Sequence, residues 1–546
     1  MESATSGQQR AVQPTSSLCI DVVRVEAAGL ARTTTARLII GGTIPAALDG
    51  TLNATLNAAM SAASERPVDG PHALTVSLRG PRQELPGLVS IEAGRWQAAF
   101  DLTRSRWNGP VLPLPSGRYR LVLESHAAPH RAEITAELPE RQLVDGLFGI
   151  AFDASPESEN IAHLVVALTP PLTATELGID NQKRLEAQYR STEYPPLDAV
   201  FFESFYGQNA SCNPLGIDRA VSEQLPLVTR YWSVVDASVE IPPGAVAIVE
   251  GSELWWRIRG SARLLVVNDW LRKRYKKRAH QTVLQTWHGT PLKKIALSRP
   301  QASLRATIAT ILESARWGIL LVQNPHSARV IRRAYAFLGP IWQEGYPRND
   351  ILISGNADSV RERLGIAEGV TVLLYAPTWR DDRPGHVDHL DVADFADELG
   401  EGYVTLIRGH SRSLKPGTDV VGERVLDVTA YPDVSDLFLI ADALITDYSS
   451  VMFDYSVTGK PMFFFAPDLE HYRHKLRGFY FDLATGTPGP VVSTADALVT
   501  LIRDREAVHA RYSQAYSNWQ ERFNPDDDGD AGERIVQRLI REGILG

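Results

Sequence analysis

The chain has 546 residues, of which 44% are hydrophobic and 22% are charged. This length predicts several domains with buried cores, and the composition is typical of globular rather than disordered or fibrous proteins. The formal net charge of −9 excludes a protein that coats nucleic acid along its whole length, although a local basic patch remains possible.

The cysteine content and the N-terminal residues bear on the compartment. Cys19 and Cys212 lie far apart and predict neither a disulfide framework nor a zinc site. The N-terminal residues lack the apolar core of a signal peptide, and no apolar run long enough to span a bilayer follows them. We therefore expect a cytoplasmic protein, either soluble or bound to a membrane surface.

The N-terminal third differs in pattern from the rest. Residues 1–20 form a polar tail, and residues 21–150 contain short runs that alternate apolar and polar residues between Pro, Gly, Asp and Ser clusters. This spacing predicts an all-β, sandwich-like accessory domain. One solvated sheet face explains its polar residues without any catalytic role. Residues 151–195 are predicted to be a linker followed by a helix.

From residue 196 onward, buried-looking strands alternate with helical stretches. This alternation predicts an α/β fold with parallel sheets that carry helices on both faces. There are enough strands for two such domains, one in residues 196–344 and one in residues 345–546, with a hinge at Gly345–Asp350. Ligands of open α/β sheets bind beyond the carboxyl ends of the strands, so the loops at those ends are the candidate site.

The first chemically informative segment is QTWHGTPLKK, in which His288 follows the strand-like run TVLQ. Thr290 and Pro291 are a typical helix start, so the segment predicts an imidazole beside free backbone N–H groups. A neutral imidazole there could act as a general base, and Lys293 and Lys294 would favour an anionic substrate. A partly buried histidine that is satisfied by the backbone remains an alternative.

The second segment is LIRGHSRS, where Arg408, His410 and Arg412 alternate at the end of a predicted strand. Because alternate residues share a face, at least two of these side chains could point into one cleft. Two cationic donors and a histidine suit phosphate oxygens. A solvated sheet edge with surface arginines is an equally open interpretation.

The third segment, DALITDYSSVMFDY, places Ser449 and Ser450 at the start of a predicted helix and Asp454 one turn further on. Unpaired N–H groups and two hydroxyls form an anion site. Asp454 would repel phosphate, so a ribose or polyol hydroxyl is its expected partner. Helix capping alone is an alternative explanation of the serines.

Several other chemistries are excluded by missing motifs. The chain has no P-loop, no GxGxxG after a strand, no HExxH and no GxSxG elbow. The acidic run at residues 526–530 lacks the glycine and the twelfth-position glutamate of a calcium loop, so we predict a solvated capping turn. The histidine pairs at 386/389 and 471/474 lack further ligands, and no metal site is predicted.

Taken together, these segments resemble the CDP-glycerol glycerophosphotransferase family, whose members prime and polymerise teichoic acids and related poly(alditol phosphate) chains. WHGTPLK and TDYSSVMFD are the most specific matches. The other matching segments are FFESFYGQNASCNP, VQNPHSARV, GYPRND, APTWRDD, IRGH, KPMFFFAPDLEHYRHKLRGFYFDL and DDDGDAGERIVQRL. The resemblance covers residues 198–540, and the residues before it carry none of the motifs.

The resemblance implies a GT-B architecture, in which two Rossmann-like domains face each other across a cleft and the second holds most of the nucleotide. It also implies metal-independent transfer of glycerol phosphate, or a related alditol phosphate, from the CDP ester with release of CMP, without any cofactor. His288 is then the base for the acceptor hydroxyl, and Arg408 and His410 stabilise charge on the pyrophosphate and the leaving CMP. The other implied substrate contacts are Gly289, Thr290, Pro291, Arg348, Pro377, Thr378, Gly409, Ser449, Ser450 and Asp454.

The family's acceptors, which are lipid-linked or polymeric, imply partners beyond the CDP-alditol donor. Residues 272–278, RKRYKKR, form a local basic cluster, and anionic lipid attracts such segments by about 1 kcal/mol per basic residue. We therefore expect a peripheral position at the inner face of the cell membrane, in the synthesis of a teichoic acid-like wall or capsule polymer. A solvated basic helix face is the alternative, and no nucleic-acid partner is expected.

Other functions remain open at this point. The donor could be CDP-ribitol or another CDP-polyol, because only a few hydroxyl contacts would distinguish them. A nucleotide-sugar glycosyltransferase or epimerase on the same frame is disfavoured by WHGTPLK. A transferase scaffold without catalytic activity that carries a polymer-binding β domain is another possibility. The retention of His288, His410 and the two serines disfavours it. Cys212 departs from the family pattern and is expected to affect acceptor contacts rather than donor chemistry.

Overall fold

The computed structural model describes residues 17–28, 35–44, 74–80, 83–125, 128–129, 131–144, 146–157, 161–271, 275–299, 303–378, 390–409, 424–467, 478–481 and 486–546. The chain divides into two compact units. The first comprises Met1–Arg104 and Val111–Pro171, and the second comprises Ser105–Pro110 and Leu172–Gly546. None of the helices in these described ranges is long and apolar enough to cross a membrane.

The described strands up to Thr169 pair mainly antiparallel. One sheet has the order β2-β3-β7-β6 and another the order β13-β14-β15-β10-β4-β5, with β11 paired to β10, while β1 and β12 form a parallel pair. The strands are β1 (Ser17–Ile20), β2 (Val22–Ala28), β3 (Thr35–Thr43), β4 (Thr75–Arg79), β5 (Glu84–Pro86), β6 (Leu88–Glu92), β7 (Arg95–Asp101), β8 (Thr103–Ser105), β9 (Val111–Pro113), β10 (Gly117–Ser125), β11 (Ala128–Pro129), β12 (Arg131–Ile134), β13 (Gln142–Val144), β14 (Phe148–Glu157) and β15 (Ile161–Thr169).

Side-chain alternation explains how these two sheets share a core. In β7, Trp96, Ala98 and Phe100 are buried while the residues between them face outward or are partly exposed. They join Leu121 of β10 and Val166 of β15 in one apolar cluster. Because alternate residues of a strand lie on one face, each sheet contributes one apolar face to this cluster.

The linker predicted within residues 151–195 differs from the structure. β14 and β15 pair from Gly149 and Thr169 to Glu157 and Ile161, so these residues belong to a sheet. The Ser, Pro and Glu residues in this stretch are typical of loops, but the burial of Phe152, Leu164 and Val166 holds the strands in the core of the first unit. The helix predicted next is α1 (Ile179–Ser191).

The second unit begins with a seven-stranded parallel sheet of order β18-β17-β16-β19-β20-β21-β22. Its strands are β16 (Leu197–Glu203), β17 (Thr229–Val234), β18 (Val246–Val249), β19 (Ala262–Val267), β20 (Thr282–Gln285), β21 (Ile319–Val322) and β22 (Ile341–Gln343). The helices are α2 (Cys212–Gln224), α3 (Glu253–Ser261), α4 (Leu304–Ser314) and α5 (Pro325–Ala334), with 3₁₀ turns at Phe205–Gly207 and Ala296–Ser298.

A six-stranded parallel sheet of order β25-β24-β23-β26-β27-β28 follows. Its strands are β23 (Thr371–Ala376), β24 (Tyr403–Ile407), β25 (Val425–Asp427), β26 (Ala443–Thr446), β27 (Met462–Phe465) and β28 (Val491–Val492). The helices are α6 (Ile351–Ser354), α7 (Ala357–Leu364), α8 (Val392–Leu399), α9 (Val434–Ile440), α10 (Val451–Tyr455), α11 (Ala495–Arg503), α12 (Arg505–Arg511), α13 (Ser513–Phe523) and α14 (Ala531–Arg541), with 3₁₀ turns at Pro347–Asn349 and Ser456–Thr458.

The two parallel sheets confirm the predicted α/β class. Counted in chain order within each sheet, the second sheet has the strand order 3-2-1-4-5-6 of the Rossmann fold, and the first has the same order with a seventh strand added at its end. The order reverses between β16 and β19 in the first sheet and between β23 and β26 in the second. Loops at such reversals form a crevice, and these loops carry the candidate site.

Candidate active site

His288 lies in the loop that follows β20, two residues after the loop begins. This loop is next to the point at which the strand order of the first sheet reverses. Its Nδ1 is 2.8 Å from the backbone oxygen of Asn268, the residue that follows β19. A carbonyl oxygen can only accept, so Nδ1 carries the proton and the neutral ring has its lone pair on Nε2. The backbone therefore satisfies one nitrogen and orients the other, and the ring can accept a proton at Nε2.

Unusual backbone conformations surround this histidine. Phe205, Tyr206, Cys212 and Trp287 have φ values of +46°, +58°, +65° and +52°. For residues with a Cβ this region costs about 1–2 kcal/mol each. The rings of Phe205 and Trp287 lie 5.6 Å and 4.9 Å from the His288 ring, centroid to centroid. Strain of this kind is held where the surrounding structure fixes a functional geometry.

The start of α2 links the histidine loop to the segment between the sheets. The Asn213 side-chain amide donates to the backbone oxygens of Thr286 and Trp287, at 3.1 Å and 3.3 Å, and its Oδ1 accepts from the backbone N–H of Arg348 at 3.4 Å. Gly216 lies so close to Pro347 that a Cβ at this position would collide with the Pro347 backbone. The absence of a side chain at Gly216 thus allows the two segments to pack.

Arg348 is buried behind His288 and is bonded on several sides. Its Nε and Nη2 donate to Asp454 at 3.1 Å and 2.7 Å, and its Nη1 donates to the backbone oxygen of His288 at 3.0 Å and to Cys212 Sγ at 3.1 Å. Burial opposes its charge, but the Asp454 carboxylate more than offsets this and the pKa of Arg348 is raised. These bonds use four of the five guanidinium N–H groups of Arg348, so a direct substrate contact, as the resemblance implies, would fall to the second N–H on Nη2.

Thr290 and Pro291 are buried, and the helix predicted after them is not there. The Thr290 hydroxyl donates to Gln323 Oε1 at 2.6 Å and accepts from Asn324 Nδ2 at 2.8 Å, while the Pro291 oxygen is 3.0 Å from His326 Nε2. Because Thr290 is engaged by residues that follow β21, it caps no helix. The helix-terminal anion site predicted for this segment is therefore wrong.

Instead of forming a helix, the segment forms backbone hydrogen bonds to a loop on the side of the second sheet. The Leu292 oxygen accepts from the backbone N–H of Tyr480 at 2.9 Å, and Lys294 N–H donates to the Gly478 oxygen at 3.2 Å. Leu292 is buried in the apolar cluster of the second sheet. The WHGTPLK segment thus starts at one sheet and ends packed on the other.

Ser449 and Ser450 lie at the corresponding edge of the second sheet, between β26 and α10. Ser450 is exposed, and its side chain makes no capping hydrogen bond to α10, which has only five residues. The capping explanation is therefore not supported for Ser450. A Cβ built on Gly289 would lie 3.3 Å from Ser450 Oγ and 3.8 Å from Arg348 Nη2, so the first and third segments meet here.

Pro377 and Thr378 follow β23, at the strand-order reversal of the second sheet. The backbone N–H of Thr378 donates to Asp447 Oδ1 at 2.9 Å, which joins the loop after β23 to the loop after β26. The structure thereby brings Thr378 and the two serines to one edge of the sheet.

Arg408 and Gly409 follow β24. Arg408 Nη1 donates to the backbone oxygens of Val428 and Tyr431 at 3.2 Å and 2.8 Å, and burial lowers the pKa of Arg408 to about 10. The N–H of Gly409 donates to Thr429 Oγ1 at 2.9 Å. His410 lies outside the described residues.

Sequence reasoning missed the polar residues that hold His288 in place. Asn268, Gln323 and Asn324 are each buried polar residues just beyond a buried apolar strand, and that position is a signal that could have identified them. Asn213 carries no such signal, because its role depends on how α2 packs against two distant loops.

Comparisons with known proteins extend this picture. Residues 189–541 match the family described as CDP-Glycerol:Poly(glycerophosphate) glycerophosphotransferase. A teichoic acid poly(glycerol phosphate) polymerase of Bacillus subtilis is 34% identical over 365 residues, which are 63% of this chain and 48% of that protein. A teichoic acid glycerol-phosphate transferase of Staphylococcus aureus is 34% identical over 374 residues, which are 64% of this chain and 95% of that protein.

Among solved structures, the wall teichoic acid polymerase TagF is similar, with a TM-score of 0.61 and 32% sequence identity. The match covers 67% of this chain and 94% of that one. The chain thus spans about half the length of the Bacillus subtilis polymerase but nearly all of the Staphylococcus aureus transferase.

Proposed function

Because the chain belongs to the CDP-glycerol:poly(glycerophosphate) glycerophosphotransferase family, we propose that it transfers glycerol phosphate from CDP-glycerol to an acceptor hydroxyl and releases CMP. One observation carries the proposal. His288, with Nδ1 fixed on the Asn268 oxygen, lies directly before Gly289, which meets Ser450 of the second sheet. The histidine loop of the first sheet and an exposed serine of the second therefore adjoin each other.

The proposed step moves one proton and exchanges one phosphorus–oxygen bond. The acceptor oxygen attacks the phosphorus that carries glycerol, and His288 Nε2 takes its proton. The bond from that phosphorus to the anhydride oxygen breaks, and CMP leaves with the electron pair. We assign the stabilisation of the charge that builds on CMP to Arg408 and His410.

The donor side of the site is assigned to the second sheet. Ser449, Ser450 and the backbone around Pro377, Thr378 and Gly409 lie at its carboxyl edge. Two parallel sheets with Rossmann-type strand order support a GT-B arrangement, in which the nucleotide would be held mainly by the second. We assign glycerol rather than ribitol phosphate as the transferred group, because both relatives described above are named for glycerol phosphate.

The test is CMP release by the purified protein, with CDP-glycerol and CDP-ribitol offered separately. Each donor is assayed with and without a lipid-linked glycerol phosphate acceptor, and with EDTA present. Acceptor-dependent release from CDP-glycerol in EDTA supports the transferase, its donor and its metal independence. Release from CDP-ribitol alone reassigns the donor, and release from neither donor by folded protein contradicts the proposal.

We further propose that the protein binds an anionic membrane surface through α4. Leu304, Ile308, Ile311 and Leu312 recur along one face of this helix and are 76%, 50%, 44% and 59% exposed. We call them the α4 stripe. Basic residues lie beside it: Arg305 is exposed, and Lys277 reaches the Ala315 oxygen at the end of the helix. An exposed apolar face flanked by basic residues fits an interfacial helix on anionic lipid.

Some basic side chains of the cluster at residues 272–278 are already hydrogen-bonded within the protein. The cluster therefore offers less to a lipid surface than its sequence predicts. Residues 272–274 lie outside the described residues. Lys276 donates to the Arg190 oxygen at 2.7 Å, and Arg278 donates to the oxygens of Tyr189 and Thr192 at 2.8 Å and 3.1 Å. Lys276 and Arg278 therefore tie this segment to α1, and the proposed lipid contact rests mainly on the α4 stripe.

Co-sedimentation with vesicles tests the membrane proposal. We expect wild-type protein to pellet with vesicles that contain phosphatidylglycerol and to be released by high salt only in part. The variant Ile308→Glu/Leu312→Glu should remain in the supernatant. The control Leu227→Glu/Leu338→Glu changes two leucines that are 96% and 93% exposed elsewhere and should bind like wild type. Equal binding of all three proteins would contradict the proposal.

A further inference from the structure

Asp527 lies in the acidic run at residues 526–530, which the sequence predicts to be a solvated turn. Asp528 and Asp530 are exposed, but Asp527 is buried, so the prediction is wrong for this residue. Its Oδ1 accepts from the backbone N–H of Tyr346 at 2.9 Å and from Asn349 Nδ2 at 3.3 Å. Its Oδ2 accepts from Gln323 Nε2 at 2.8 Å and from Asn524 Nδ2 at 3.0 Å.

These contacts require the ionised form of the side chain. A carboxylate offers about four acceptor positions, and four N–H donors face Asp527. A protonated acid would direct its O–H at one of these donors. Burial raises the pKa of Asp527 to about 6, and the donors that face it act in the opposite direction. A buried charge is energetically costly, so its presence here indicates that the four N–H donors need a carboxylate to accept from them.

The turn that carries Asp527 is seated by a close backbone approach. Gly345 has a φ of +77°, and a Cβ at this position would collide with the backbone oxygen of Asp526. Any larger residue at position 345 would both strain the backbone and push the turn away. The position of Asp527 is thus fixed relative to the segment between the two sheets.

Two arms lead from Asp527 to the WHGTP segment. In the first, Asn349 Nδ2 also donates to Asp454 Oδ1 at 3.2 Å, and Asp454 holds Arg348, whose Nη1 donates to the His288 oxygen. In the second, Gln323 presents its Oε1 to the Thr290 hydroxyl. The first arm ends on the residue before Gly289 and the second on the residue after it.

We propose that Asp527 is a positioning residue that holds both ends of the His288–Thr290 segment, so that His288 Nε2 and Gly289 keep their places at the crevice. The inference rests on the proposed role of His288 as the base. Asp527 does not touch the substrate in this role, and its effect passes through Asn349 and Gln323. Groups that orient metal-bound histidines change activity by about 10–100-fold when replaced, and we expect an effect of the same size for Asp527.

The first test compares Asp527→Asn with Asp530→Asn, which removes an exposed carboxylate from the same turn. The amide introduced at position 527 would direct an NH₂ at two facing donors. We expect kcat for CMP release to fall by about 10–100-fold, with the KM for CDP-glycerol within about 2-fold of wild type. Asp530→Asn should match wild type. An unchanged kcat in folded Asp527→Asn protein would overturn the proposal.

A swap variant separates positioning from general damage. In Gln323→Glu/Asp527→Asn, the new amide donates to the new carboxylate, whose other oxygen still accepts from Thr290. We expect each single variant to lose activity and the double variant to recover about 10-fold relative to Asp527→Asn. A double variant no more active than the worse single variant contradicts the proposal. If Asp527→Asn does not fold, Gln323→Met cuts the second arm alone and should lower kcat without a change in KM.

A spectroscopic readout keeps this inference distinct from the proposed function. In protein labelled with ¹⁵N-histidine, the His288 signals are assigned by their loss in His288→Gln. Asp527→Asn should shift them, and Asp530→Asn should not. Shifted signals in a wild-type protein that releases no CMP would support the positioning role while the proposed transferase fails. Unshifted signals in folded Asp527→Asn protein would overturn the positioning role whatever the activity.

Discussion

The carboxyl edges of the two parallel sheets are built differently. At the first, the polar groups around His288 are bonded: Asn268 to the imidazole and Thr290 to Gln323, while Arg348 joins this edge to Asp454 in α10 of the second sheet. At the second, Ser450 is exposed and its hydroxyl makes no bond to the helix that it precedes.

This difference separates two tasks. A group that must remove a proton needs a fixed direction, and buried hydrogen bonds supply that direction before substrate arrives. A group that recognises a charged donor needs unused hydrogen-bonding capacity, and exposure preserves it. In the proposed function, the first edge would therefore join stability and catalysis, whereas the exposed Ser450 of the second edge would serve recognition with little effect on stability.

The largest expected effect comes from removing the proposed reacting group of the first edge, the His288 imidazole. His288→Ala should lower kcat by about 10²–10⁴-fold, because it removes the base from the proposed step. Calorimetric binding of CDP-glycerol should remain detectable. The control His280→Ala removes a histidine that also bonds a backbone oxygen, that of Gly260, and should keep wild-type turnover. Unchanged turnover in His288→Ala would remove His288 as the base.

The next effect tests the coupling of the first edge to stability. Arg348→Met leaves the buried Asp454 carboxylate without its cation and should destabilise the second unit by about 3–5 kcal/mol. Urea unfolding followed by tryptophan fluorescence measures the change. The control Arg190→Met breaks an exposed pair with Glu186 and should cost at most about 1 kcal/mol. Equal unfolding midpoints for the two variants would show that the buried pair contributes nothing.

A pair of serine variants sharpens the contrast between recognition and stability. Ser450→Ala should raise the KM for CDP-glycerol by about 10-fold, the equivalent of one hydrogen bond to a charged group, without a change in Tm. Ser252, whose Oγ accepts from the Trp255 N–H at 3.1 Å, is a true helix cap. Ser252→Ala should lower stability by about 1 kcal/mol and leave KM unchanged. The reverse pattern would contradict the division of tasks.

The smallest effect is a pH dependence of stability. Asp350 accepts from the N–H groups of Ala531 and Gly532, and burial raises its pKa from 3.8 to about 7. Between these values the folded protein binds a proton that the unfolded chain has released. Stability therefore falls as pH rises, by up to about 1.4 kcal/mol per pH unit.

Urea unfolding of wild type and Asp350→Asn across that range isolates this carboxyl, because Asp527 titrates in both proteins. The variant should show the shallower decline of stability between about pH 5 and about pH 7. Parallel pH profiles for the two proteins would assign the dependence to other groups.

The sequence predicts local features of this molecule well. The run TVLQ before the histidine loop predicts β20 and places His288 at its end, and the ALIT run does the same for β26 and the two serines. These predictions succeed because burial of a parallel strand leaves a continuous apolar run in the sequence. The family assignment, which rests on such segments, is confirmed.

The sequence could not predict features that depend on distant pairing. Asp527 resembles its exposed neighbours, and its burial depends on Gln323, which lies 204 positions earlier. Thr290 and Pro291 form a correct helix-start pattern, but long-range bonds to Gln323 and Asn324 outweigh that local preference. The positive φ values of Cys212 and Trp287 cannot be recognised from the residue types, because neither residue is a glycine.

The partner of His288 Nδ1 has a genetic consequence. In many sites a carboxylate side chain orients the histidine, and a single substitution removes it. Here the partner is the main-chain oxygen of Asn268, which every amino acid at that position would supply. In a substitution scan across this loop, changes at Asn268 would therefore have an effect only through the loss of its side-chain contacts to Phe205 and Ser204. The orientation of the His288 imidazole is encoded in the path of the chain, where point mutations seldom reach it.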